Sequence, residues 1–212
     1  MRNFLISALV GVLLVVSGCS GGDDSSQSYS EAQKKEANGE IVKVLSDMRK
    51  NYDEVEKNTS YSNLSTDKYP PQDGLYWKVI VKDGRMDEFF SIVNFTNNDQ
   101  IDWVFWDEVI FSTNEKTWKY DIGSFAGQSG GGKHTEVVWG GKYETLSVPI
   151  EKIAPGLKVL INGTNPIIRL QGKEHKYDMK LTDNDLNIIN TAMYVYEQSK
   201  ITGKTINMEE SN

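Results

Sequence analysis

Between residues 75 and 122 the hydrophobic residues recur with a period of two. Leu75, Trp77, Val79 and Val81 alternate with Tyr76, Lys78 and Lys82, the signature of a strand buried on one face. Asp83-Gly84 is a turn signal, and Phe89 to Thr96 reads as a second strand. Asn97-Asn98-Asp99 turns the chain again. Ile101 to Thr113 then reads as one long strand with Trp103, Phe105, Val109 and Phe111 on one face. Asn114-Glu115-Lys116 leads into Thr117 to Ile122, where Trp118, Tyr120 and Ile122 share a face. Connections this short predict antiparallel pairing.

On either side of this region the period is that of a helix. Ile41, Val44, Leu45, Met48, Tyr52 and Val55 recur at spacings of three and four, so residues 31–58 are expected to form an amphipathic helix. Its stripe either packs on the domain behind it or docks a partner. Gly39 weakens the first part of that helix. Asn58 to Gly74 reads as a loop. Downstream, Gly123 to His134 is a glycine-rich loop and Thr135 to Trp139 a short strand. Val148 to Ile161 reads as short helical turns interrupted by Pro155-Gly156. Ile167 to Gln171 and His175 to Leu181 form a hairpin around Gly172-Lys173. Thr182 is placed to cap a last helix, with Asp183 and Asp185 in its first turn and Leu186, Ile189, Met193 and Tyr196 on its buried face. Residues 204–212 read as a frayed polar tail. The expected fold is α+β: an antiparallel β-meander sheet, residues 59–203, on which an N-terminal and a C-terminal helix pack.

The chemistry available to such a domain is narrow. With 30 acidic and 23 basic side chains the net charge is −7, which lacks the basic footprint of a nucleic-acid binder. One cysteine and two histidines supply neither an internal disulfide nor a Cys/His zinc site, so no metal or cofactor is expected. Gly127 to Lys133 satisfies the G-x-x-x-x-G-K part of a phosphate-binding loop. However, His134 stands where Ser or Thr would hold magnesium, and the loop leads into a strand rather than a helix N-terminus. Asp102, Asp107, Glu108, Glu136 and Asp178 lie in the strand region. A hydrolase would need two of them facing one cleft, and neighbours on a strand, Asp107 and Glu108, point to opposite faces. Asp102, Glu136 and Asp178 remain as candidate acids. All five tryptophans fall between residues 77 and 139; they read as core, or as an exposed strip suited to glycan or peptide.

The start of the chain is of a different kind. Arg2 precedes thirteen uncharged residues, Phe4 to Val16, too few for a comfortable membrane span of roughly 20 residues but suited to a secretory signal. Val16-Ser17-Gly18-Cys19 resembles the lipobox of bacterial lipoprotein precursors. The resemblance implies a signal peptide over 1–18, cleavage before Cys19, and lipid on the Cys19 sulfur and amino group. Residues 19–30, small and acidic, would then be a flexible tether with a reach of roughly 20 Å. Ser20 rather than Asp after the cysteine implies the outer membrane in a Gram-negative host. In a Gram-positive host the anchor would hold the outer face of the cell membrane.

The C-terminal half resembles a module of uncharacterised bacterial lipoproteins. The residues that carry this are Asp102-Trp103-Val104-Phe105, Phe111 to Tyr120, Glu136, Ile167 to Gly172, Tyr177-Asp178 and Leu181-Thr182. Within that module Asp102, Glu136, Arg169 and Asp178 are candidates for a ligand-binding or structural polar cluster, with Arg169 pairing either Asp178 or Glu136. The expected function is a non-enzymatic binding module on the cell envelope, its partner a membrane through Cys19 and an envelope protein or glycan. The alternatives are an envelope hydrolase and an assembly lipoprotein docking through its first helix.

Overall fold

The computed structural model describes residues 28–63, 73–97, 103–123, 130–138 and 140–209. The signal segment 1–18, Cys19, most of the tether, Asp102, Trp139 and residues 127–129 of the glycine-rich loop lie outside them. In chain order the elements are α1 (Glu31–Ser46), β1 (Arg49–Asp53), β2 (Asn58–Ser62), β3 (Gly74–Lys82), β4 (Arg85–Asn97), β5 (Glu108–Ser112), β6 (Thr117–Asp121), β7 (Lys133–Val138) and β8 (Gly141–Pro149). A 3-10 turn (Ile150–Lys152) follows, then α2 (Ala154–Ile161), β9 (Ile167–Gln171), β10 (Lys176–Lys180) and α3 (Asp183–Thr202).

The fold is α+β and wholly antiparallel among the described strands, but it contains two sheets rather than one. The larger has the order β1-β2-β3-β4-β8-β7 and the smaller β10-β9-β5-β6. The division falls where a long strand over 101–113 was expected. Phe105 adopts a left-handed backbone (φ 47°), and β5 starts only at Glu108. The alternation Trp103, Phe105, Val109, Phe111 therefore breaks. Trp106 enters the core instead, while Phe105 is 37% exposed and stacks on Trp103 at 5.2 Å.

Local chemistry explains the helix boundaries. Ser30 and Gln33 form a capping box at the start of α1, and Thr182 and Asp185 form another at the start of α3. Gly203, in the left-handed region, ends α3. Pro155 does not interrupt α2. It lies in the first turn, where its missing N–H has no intrahelical partner to lose.

Three expectations are corrected. The first helix ends at Ser46, not near residue 58. Residues 49–62 form a hairpin whose turn is held by Asp53 Oδ1, which accepts the N–H groups of Val55 and Glu56, both at 2.9 Å. Tyr52 and Val55 are consequently exposed, whereas Ile41, Val42 and Leu45 are buried in α1, which packs on α3. The stripe expected to serve as a docking face is thus largely covered. Second, residues 148–149, expected to begin the helical turns, instead end β8, which runs inside the large sheet between β4 and the edge strand β7; its alternation is masked in the sequence by the buried Glu144. Third, the end of the chain up to residue 209 is packed, not frayed. Ile206 is buried, its N–H donates to the Gly84 carbonyl, and the Asn38 side chain exchanges two hydrogen bonds with the Asn207 backbone.

Buried residues form one contiguous core. α3 lies on β3 and β4, and α2 lies on β5 and β6 and against α3. Gly156 makes the α2 contact possible: a Cβ there would stand 2.6 Å from both Phe111 and Trp118 ring atoms. Among the described residues the other face of the small sheet is half-buried on β5 and β9 and exposed on β6 and β10.

Candidate functional site

That face is ordered by strand register. One row across β6, β5, β9 and β10 is Asp121, Glu108, Gln171 and Lys176; the next is Lys119, Ile110, Arg169 and Asp178; the third is Thr117, Ser112, Ile167 and Lys180. The residues between them, Val109, Phe111, Ile168 and Leu170, point to the opposite side and are buried. Period two thus segregates a charged face from a core face in every strand.

Two ion pairs organise it. Arg169 lies directly opposite Asp178, donating from Nε to Oδ1 at 2.5 Å and from Nη2 to Oδ2 at 2.7 Å. This bond raises the pKa of Arg169 and holds the Asp178 carboxyl below its usual range. Lys119 Nζ lies 3.1 Å from Glu108 Oε2. Between the pairs a shallow open depression of about 300 Å³ is lined by Ile110, Ser112, Thr117, Lys119, Ile167 and Arg169. Its lining carries two cations, two hydroxyls and two aliphatic side chains, and neither an acid nor an aromatic ring.

Of the two partners open to Arg169, Asp178 is the one it meets, on a face more than a third exposed at each residue. Glu136 is elsewhere: it stands on β7 in the large sheet, 3.4 Å from His134. The pairing of Arg169 with Glu136 does not form. Asp102 lies outside the described residues. Asp107 precedes β5 and donates its backbone N–H to the Gln171 carbonyl.

The sequence reading missed the two most buried acids, Glu88 and Glu144. Glu144 Oε2 and Oε1 accept the backbone N–H groups of Val104 (3.0 Å) and Phe105 (2.9 Å), so this carboxylate fixes the segment that separates the sheets. Beside it, Lys133 Nζ donates to the Trp106 carbonyl at 2.5 Å and stands 4.0 Å from Glu144 Oε1. Desolvation lowers the Lys133 pKa and raises that of Glu144, and each charge partly offsets the other's shift. The lysine of the phosphate-loop-like motif is thus turned into the core, and the chain after it runs into β7. The signal available was the motif's own failure: a lysine after three glycines that opens a strand has no helix N-terminus to serve.

Among the described residues no three His, Cys, Asp or Glu side chains come together as metal ligands, and no helix is long and apolar enough to cross a membrane. No family model, curated protein or solved structure matches the chain, and the site rests on the geometry of its own residues.

Proposed function

We propose that the protein is a cell-envelope lipoprotein, anchored by lipid on Cys19, that works without catalysis by docking an extended, carboxylate-bearing protein segment on the open face of its small sheet. The anchoring rests on the order of Arg2, the apolar run, Val16-Ser17-Gly18 and Cys19. One observation carries the docking: the depression pairs an aliphatic floor, Ile110 and Ile167, with two cations and no acid. A guanidinium has five N–H donors and its Asp178 pair uses two of them, so Arg169 retains donors for a second carboxylate. A lining without aromatic rings lacks the platform on which sugars stack, which favours peptide over glycan.

The test is a titration of the 15N-labelled Cys19→Ser chain with a hexapeptide of alternating Glu and Val. Amide shifts in β5, β6 and β9 that weaken with salt and vanish in Lys119→Ala are expected. Shifts produced only by an acidic oligosaccharide would reassign the ligand, and silence toward both probes would overturn the docking. Anchoring is checked separately. The natural chain should incorporate labelled palmitate and partition with membranes, and Cys19→Ser should do neither.

A further inference from the structure

A second feature lies on the other sheet. Glu88, on β4, is 2% exposed, and neither carboxyl oxygen has a hydrogen-bond partner. The nearby Trp77 Nε1 is likewise buried without one. A carboxylate in such a place is costly, and the neutral acid far less so. Two to four residues before Glu88 the chain closes on itself. After α3 ends at Gly203, Lys204 accepts the Met86 N–H at 2.9 Å, Thr205 bridges Arg85, and the Ile206 N–H donates to Gly84 at 2.8 Å. Asn207 then ties this strap to Asn38 of α1.

We propose that Glu88 is a proton-operated latch: as the neutral acid it lets residues 203–209 hold α1 to the β3–β4 turn, and on ionising it releases them. The groups that face it are the Trp77 indole from β3, the Ser199 hydroxyl from α3, Lys204 from the strap and Glu151 from the 3-10 turn. Lys204 is the one cation among these. It is engaged at the surface with Glu151, 3.4 Å away, while Glu151 itself repels a carboxylate. Ser199 Oγ donates to the Tyr196 carbonyl at 2.9 Å, so its single hydrogen is drawn away from Glu88 and relieves the carboxylate only in part. Ionisation therefore produces a core charge that the Ser199 hydroxyl, Lys204 and the Trp77 indole offset only in part, and opening the strap admits water to it.

Burial moves the Glu88 carboxyl from its ordinary 4.5 to about 7. The closed state holds the proton more tightly than the open one, so closure is complete in acid. It weakens as pH rises from 4.5 towards about 7, by up to about tenfold in the closed-to-open ratio per pH unit, and is level above that.

Hydrogen exchange on the full chain reads this directly. After correction for base catalysis, protection of the Met86 and Ile206 amides should fall more than about tenfold between pH 5 and 7.5. Amides of the β9–β10 pair should hold constant, and in Glu88→Gln the Met86 and Ile206 protection should be independent of pH. Flat protection in the natural chain, or the same fall in Glu88→Gln, overturns the latch. The carboxyl 13C titration of Glu88 in the natural chain is the second measurement, needed if the variant does not fold. A midpoint near 7 supports the latch, and one in the ordinary carboxylate range refutes it.

Discussion

Arg169 and Asp178 stand directly across the β9–β10 register and close a two-point ion pair on a solvent-facing sheet surface. Each is more than a third exposed, so water screens the attraction and the pair contributes about 0.2–1 kcal/mol. Arg169→Ala should lower the melting temperature at pH 7 by only about 1–3 °C. The sign with pH is set by Asp178, whose carboxyl is held down chiefly by the Arg169 hydrogen bond. Its contribution is complete above the carboxylate range and is lost as pH falls through the depressed value. The difference between natural chain and variant, followed by thermal melts, should therefore shrink below about pH 4.

A much larger effect is expected at Glu144. Replacing it with Ala strands the Val104 and Phe105 N–H groups and leaves the Lys133 ammonium buried beside an empty site. Breaking a buried pair from one side costs about 3–5 kcal/mol. Chemical denaturation should show that loss, and the double variant Lys133→Met, Glu144→Ala should recover part of it, because the unpaired charge is then gone.

These two pairs show what was legible in the sequence. Arg169 and Asp178 flank a recognisable hairpin turn, so alternation and register alone bring them face to face. Glu144 has no such signal: its partners are backbone N–H groups about forty residues away, and sequence patterns do not encode which backbone donors a side chain will meet. The same gap explains the missing division into two sheets, since Phe105 in the left-handed region leaves no compositional trace. The helix over 31–58 failed for another reason. Apolar spacing continued past Ser46 through Met48, Tyr52 and Val55, and only the pairing of 49–53 with 58–62 decides against a helix. Both helix starts were readable to different degrees, because Thr182 with Asp185 is followed by a clean apolar stripe, while Ser30 with Gln33 is followed by Gly39.

Gly39 and Gly172 should respond to alanine in opposite directions. Gly39 lies inside α1 with nothing within 4 Å of an added Cβ. Gly39→Ala therefore gains helix propensity without a clash and should stabilise the protein by about 0.5–1 kcal/mol. At Gly172 a Cβ would stand 2.0 Å from the Val104 carbonyl oxygen. A backbone atom has no rotamer to swing away, so Gly172→Ala must displace the 103–107 segment and should cost about 1–3 kcal/mol. Paired urea melts of the two variants decide both, and equal signs would refute the packing described around Gly172.

The strap at the end of the chain gives the last expectation. If residues 204–212 were a frayed tail, deleting them would change nothing. In the structure Ile206 is 4% exposed within the core, and the strap carries backbone bonds to Gly84 and Met86 and two to the Asn38 side chain. Deletion would uncover apolar core surface and remove the two bonds that the buried Asn38 amide makes with Asn207. Ile206→Ala alone should cost about 2–4 kcal/mol by the lost burial and the cavity left behind. Asn38→Ala should cost less, about 1–2 kcal/mol, because both strap bonds go but the Asn207 backbone regains water. The deletion should therefore destabilise at least as much as Ile206→Ala, and a deletion variant melting like the full chain would show that the strap does not hold α1.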